Sequence, residues 1–162
     1  MTLGILILIA VTIERSAELP WSLANERRLK AVGGHEVAAG HYPAIVAVHV
    51  AWLAALWWWA PGQPVNMVLL AAYGAVQVLR GWTLVTLGRR WTTRIFVVPG
   101  ETLVARGPYR FFDHPNYVVV VAEISLLPLV FGLWPLAVVF TLLNAAVLWV
   151  RIRAENRALG RS

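Results

Sequence analysis

PNYVVVVAEISLLPLVFGLWPLAVVFTLLNAAVLWV, residues 115–150, carries a single charged side chain, Glu123, and one sharp break, at Gly132. Crossing the hydrocarbon core of a bilayer takes roughly 20 apolar residues per helix, so the stretch reads as two membrane helices, 115–131 and 133–150, joined by a short turn. Working outward, two more runs of the same kind cover 42–60 and 65–87. A fifth, 3–13, amounts to only about half a span at 1.5 Å per residue. With 59% hydrophobic and 14% charged residues over 162 positions, the chain suits a bilayer and one folding unit. The fold expected is an all-α integral membrane protein of about five transmembrane helices. Its single domain, 1–162, divides into an N-terminal helix with an interfacial segment (1–41), a helix hairpin (42–87) and a polar half (88–162).

Residues 1–13 have neither the basic start nor the small-residue cleavage site of a secretory signal, and so predict a retained helix. If that helix ends near Leu19, the polar stretch from Pro20, with Glu26, Arg27, Arg28 and Lys30, is expected to lie on the membrane surface. The net charge of +6 does not point to nucleic acid, because the basic residues alternate with hydrophobic spans instead of covering a soluble face. With five helices, the loops 14–41 and 88–113 and the C-terminal tail fall on one side and hold every Lys and Arg except Arg80. The positive-inside rule puts that side, and the C-terminus, in the cytoplasm. Four spans and a peripheral N-terminus give the same sidedness. Trp57, Trp58 and Trp59 beside the opposite, uncharged connection look like an interfacial aromatic belt. Cysteine is absent, which excludes disulfides, thiolate metal sites and cysteine nucleophiles.

The inner loop is more patterned than a spacer needs to be. Residues 93–106, TRIFVVPGETLVAR, read as two short extended runs about a Pro99-Gly100 turn, and Asp113 or His114 can cap a helix beginning with Pro115. Ionisable groups inside spans usually face a partner or a wet cavity. Four polar residues raise that question: His49, Gln77 and Arg80 one turn apart, and Glu123. Arg80 and Glu123 can pair and fix helix packing, or Glu123 can act as a base facing a substrate. On the last helix Asn144, Leu148, Arg151 and Glu155 share one face, and Arg151 with Glu155 reads as an i,i+4 pair.

LVARGPYRFFDHPNY (103–117), followed by RIRAENRAL (151–159), resembles the isoprenylcysteine carboxyl methyltransferase family. A hydrophobic pair before a Gly-x-Tyr turn, a His-Pro-x-Tyr helix start, two membrane helices and an Arg-Ile-x-x-Glu helix end occur in order, over about 88–159. The front portion, with NERRLKAVGGHE and HYPAIVAVH, is similar to a bacterial branch associated with alkylpyrone- and alkylresorcinol-type lipids. The resemblance implies an S-adenosylmethionine-dependent methyltransferase in the bacterial inner membrane, with a cytoplasmic cofactor-binding loop and no metal. It implies a lipophilic or prenylated acceptor arriving among the membrane lipids, methylated on a carboxylate, phenol or enol oxygen.

Position by position, the resemblance places Thr102, Leu103, Val104, Gly107, Tyr109, His114, Pro115, Tyr117 and Glu155 on the cofactor and Arg151 on the acceptor. Asp113 stands where the family usually has arginine, and Asn156 where a second glutamate is common. A carboxylate acceptor is already ionised at neutral pH and needs only orientation, for which Arg151 is the candidate. A phenol or enol must lose a proton, with Glu123 or, alternatively, Glu36 as base. Two other readings remain at this point: a sterol-type membrane reductase using NADPH, and a non-enzymatic lipid-binding subunit.

Overall fold

Five helices follow one another in a computed structural model that describes residues 2–158: α1 (Leu3–Ala31), α2 (Tyr42–Trp59), α3 (Met67–Leu87), α4 (Pro115–Val130) and α5 (Trp134–Ala158). The segments Ala39–Trp59, Met67–Arg90 and Trp134–Ala158 are long and apolar enough to cross a membrane, and α4 is apolar but shorter. The protein is therefore an all-α membrane protein, and its helix ends lie within a few residues of those expected for α2, α3 and α4. α5 runs past the apolar stretch into the polar tail, carrying Arg151 and Glu155 on the same helix. Leu159, the last residue of the RIRAENRAL match, lies outside the described residues.

α4 is the central helix, packed against α3 on one side and α5 on the other. Its short length suits that place, since Val119, Glu123, Ile124, Leu127 and Val130 are covered by protein. The apolar core joins Ile124, Leu127 and Val130 to Leu8 and Val11 of α1, Trp52 and Leu56 of α2, Tyr73 of α3 and Phe140 of α5. The indole of Trp52 donates to the carbonyl of Ile124 at 3.3 Å, and Trp57 donates to Thr12 Oγ1 at 3.0 Å. The connection before α3 is fixed by Asn66, whose side chain accepts from the N–H groups of Val68 and Leu69.

Two expectations are corrected. The surface segment expected from Pro20 is instead the second half of α1, which runs unbroken to Ala31 with Pro20 inside it. A proline removes one helix hydrogen bond, and tertiary contacts outweigh that loss here. Glu18, Ser22, Asn25, Glu26 and Leu29 repeat at helical spacing and are all buried. Asn25 Nδ2 donates to the carbonyls of Gly88 and Trp91, tying this half of α1 to the end of α3. The second correction concerns the inner loop. The first extended run supplies strand β2 (Phe96–Val97), which pairs antiparallel with β1 (His35–Glu36) from the other long loop. The second run forms no strand; it follows the expected Pro99-Gly100 turn, which is closed by the Glu101 N–H on the Val98 carbonyl, with Gly100 at φ +79°.

Candidate active site

The β1–β2 pair draws the two long loops together over one end of the bundle, and a cavity of about 220 Å³ lies beneath the second loop. Its wall is made by residues of 95–104 from the loop, Tyr109 from the short turn Gly107–Arg110, His114 and Tyr117 from the start of α4, and Arg151 and Glu155 from the end of α5. The loop is braced by Arg90, whose guanidinium donates to the Thr102 carbonyl at 2.8 Å and pairs with Glu101 at 3.2 Å.

Tyr117 is the hinge of the polar side. Its hydroxyl donates to Glu155 Oε2 and accepts from Arg151 Nε at 2.8 Å. Arg151 and Glu155, expected as a direct i,i+4 pair, are thus joined through a phenol from the neighbouring helix. His114 stacks on Tyr117 with ring centroids 5.2 Å apart, and its Nε2 lies 3.1 Å from Asn156 Oδ1. The other ring nitrogen, Nδ1, lies 3.9 Å from Glu155 Oε1. The Glu155 carboxylate and the His114 ring thus stand together on one wall of the cavity, where the carboxylate can accept from a ligand with donors such as hydroxyls or an ammonium. Burial, and after it the charge of Glu155, push the Tyr109 phenol above its ordinary range, so it stays protonated at neutral pH.

A second cavity, of about 240 Å³, lies on the lipid side, between α1, α2, α4 and α5. Its lining is predominantly apolar, and the exposed side chains of Leu19, Val46 and Val50 border it on an open apolar face of the bundle. The two cavities share a wall of Trp91, Thr92, Asn116, Tyr117 and Arg151. The Trp91 indole N–H is buried there without a partner among the described residues.

Thr102, Leu103, Val104, Tyr109, His114, Tyr117, Arg151 and Glu155 all line the loop-side cavity. Gly107 and Pro115 stand behind its wall. Pro115 opens α4, where a missing N–H costs nothing; His114 is the cap residue, without a capping bond from its side chain. Gly107 has φ +59°, and a Cβ there would sit 2.5 Å from Thr86 Oγ1, so only glycine lets the turn lie against α3. Glu123 lies deep in the bundle. Gln77 donates to its Oε1 at 2.9 Å, and its Oε2 pairs with Arg80 at 2.9 Å and Arg15 at 2.7 Å. Arg80 also pairs with Glu18 and with Glu14. Glu36 lines neither cavity; it pairs at 2.8 Å with Arg94, which lines the loop-side one. Sequence reasoning missed Arg90, Trp91 and the second half of α1, because no local pattern marks an isolated residue that becomes a wall only when two loops meet.

The sequence model of the "Isoprenylcysteine carboxyl methyltransferase (ICMT) family" matches residues 67–161. The chain belongs to that family. A protein of Bacillus subtilis (strain 168), described as "Uncharacterized protein YpbQ", is 38% identical over 167 residues, covering 94% of this chain and 95% of its own length. No solved structure matches the chain significantly. Family membership makes the protein a membrane methyltransferase, and the segment matched holds every residue of the loop-side polar cluster.

Proposed function

We propose that the chain is a multi-pass enzyme that methylates an oxygen of a lipophilic, membrane-borne acceptor, using S-adenosylmethionine bound on the cytoplasmic side. The observation that carries this reading is the meeting of two cavities of opposite character at Tyr117 and Arg151. The loop-side cavity fits the methyl donor by the chemistry of its walls. Glu155 accepts from hydroxyls or an ammonium, the His114 ring offers a polar nitrogen, backbone groups of 102–104 offer hydrogen bonds to an adenine edge, and Leu103 and Val104 offer apolar cover. The lipid-side cavity fits an acceptor with a long apolar body.

Bound S-adenosylmethionine supplies an electrophilic methyl group, whose transfer forms the new C–O bond, breaks the C–S bond and leaves a neutral thioether. The chain's own part is to bring the acceptor oxygen in line and keep water out. Arg151 reaches the shared wall from α5, where its remaining N–H groups can orient the acceptor's oxygen. Tyr117, held between Arg151 and Glu155, fixes the distance between the two binding sites. We assign Glu123 to helix packing, because three neighbours already occupy its oxygens. The concentration of Lys and Arg in the second half of α1, the loop 88–114 and the end of α5 supports a cytoplasmic loop-side cavity in a bacterial inner membrane.

The test is calorimetry of the full chain in lipid nanodiscs, together with transfer of labelled methyl into lipid extract. S-adenosylmethionine is expected to bind and to label a lipid-soluble product. Binding of NADPH with no affinity for S-adenosylmethionine would overturn the assignment.

A further inference from the structure

A row of hydroxyls leaves the lipid-side cavity and ends on a carboxylate that the proposed reaction has not used. Tyr42 and Thr93 both line that cavity. The Tyr42 hydroxyl is 3.0 Å from Thr93 Oγ1, which is 3.0 Å from Ser22 Oγ, which donates to Glu26 Oε1 at 3.1 Å. Ser22 and Glu26 are buried.

Counting protons fixes the direction of the row. Ser22 has one proton, given to Glu26, and its oxygen also accepts the backbone N–H of Thr93 at 2.9 Å. The contact between Ser22 and Thr93 Oγ1 therefore has Thr93 as donor. Thr93 has then spent its only proton, so Tyr42 must donate to Thr93. What Tyr42 has left to offer the cavity is a lone pair.

We propose that Tyr42, Thr93, Ser22 and Glu26 form a proton relay that takes the proton of a hydroxyl-bearing acceptor as it is methylated. This rests on the reading of the chain as a methyltransferase. An acceptor O–H donating to the Tyr42 oxygen completes the row. As the methyl bond forms, the acceptor's proton passes to Tyr42, Tyr42's to Thr93, Thr93's to Ser22 and Ser22's to Glu26, so no hydroxyl is left charged. An anionic carboxylate has no proton to give and would meet an oxygen lone pair.

Arg94 faces both ends of the row. Its guanidinium stacks 4.4 Å from the Tyr42 ring centroid, its Nε is 4.0 Å from Glu26 Oε2, and its other side pairs with Glu36 of β1. The other charged or titratable groups on the cavity are Arg15, Glu18, His49, Arg80, Tyr117 and Arg151.

The experiment compares wild type, Tyr42→Phe, Ser22→Ala and Glu26→Gln, all as full chains in nanodiscs with labelled S-adenosylmethionine. The acceptors are 3-pentadecylphenol and palmitic acid, between about pH 6 and pH 10, the range in which a phenol moves toward its own ionisation. Wild type is expected to methylate the phenol. Each variant is expected to bind S-adenosylmethionine normally by calorimetry but to transfer methyl about 100-fold more slowly at neutral pH, a deficit that closes as pH rises and the phenol ionises unaided. If burial makes Glu26→Gln misfold, Tyr42→Phe, which removes one oxygen at the cavity wall, carries the test. Variants as fast as wild type at neutral pH, an equal deficit at every pH, or wild type acting on palmitate but not the phenol would each overturn the relay. Wild type without affinity for S-adenosylmethionine would remove the underlying methyltransfer reading as well, and the calorimetry separates that failure from failure of the relay alone.

Discussion

The chain builds two clusters from the same residue types, and they behave as opposites. In the bundle interior Arg15 and Arg80 pair with Glu14, Glu18 and Glu123, and Gln77 donates to the remaining Glu123 oxygen, so these charges have protein partners even where Arg15, Glu18 and Arg80 border the second cavity; the Arg15 Nε is buried without one among the described residues. At the loop-side end Arg151, Glu155 and His114 are held apart by one phenol and face open space. Buried ion pairs are costly to break yet add little net stability when made, so the first cluster serves to fix which helix meets which. The second is held rigid by Tyr117 and leaves acceptors and donors unspent, as a binding site requires.

Breaking the interior cluster is expected to give the largest effect. Arg80→Met leaves Glu18 without its main counter-charge and Glu123 with Arg15 alone, and should cost about 3–5 kcal/mol of stability, read as a large fall in detergent melting temperature. The protein that stays folded should retain its affinity for S-adenosylmethionine. Glu155→Gln should do the reverse, weakening that affinity at least about tenfold, or ~1.4 kcal/mol, while the ligand-free melting temperature moves little. If instead the two variants lose stability equally, the distinction between the clusters fails.

Gly107→Ala tests the wall between these extremes. A left-handed φ costs a non-glycine residue about 1–2 kcal/mol, and the clash with Thr86 adds to it. Adding Thr86→Ala should recover the clash and leave the backbone cost, which a melting series on the single and double variants would show. Arg151→Lys keeps the charge but loses the Nε donor to Tyr117, so turnover should fall about tenfold with stability nearly unchanged. The smallest effect concerns Tyr109. Its phenol is raised in the folded state, so its contribution is fully present below pH 10.0, the ordinary value, and is lost as pH climbs beyond it, where the unfolded chain ionises first. Tyr109→Phe should therefore flatten the decline in stability above about pH 10, as followed by alkaline denaturation.

The helices were legible because apolar length is a local property: α2, α3 and α4 could be placed from runs of residues such as 115–131. The second half of α1 was not, because Glu18, Ser22, Asn25 and Glu26 look like an exposed polar face until Arg80, Thr93 and the ends of α3 cover them. Glu123 admitted two readings on the same ground. Its three partners lie on α1 and α3, and nothing near it in the chain says that they arrive. The loop-side residues from Thr102 to Glu155 were found through resemblance, and their packing about Tyr117 only through the fold.

By itself the sequence determined that this is a helical membrane protein, that its charge gathers between and after the apolar runs, and which chemistry-bearing residues stand at the ends of its last two helices. Those follow from bilayer thickness and from spacing along one helix, both readable over a few turns. Only the tertiary structure decided which arginine meets which glutamate, that β1 and β2 clamp the loops together, and that two cavities share a wall at Tyr117 and Arg151. The physical reason is that the partner of a buried polar group is chosen by three-dimensional proximity, and residues 34 to 71 positions apart in the chain satisfy one another here.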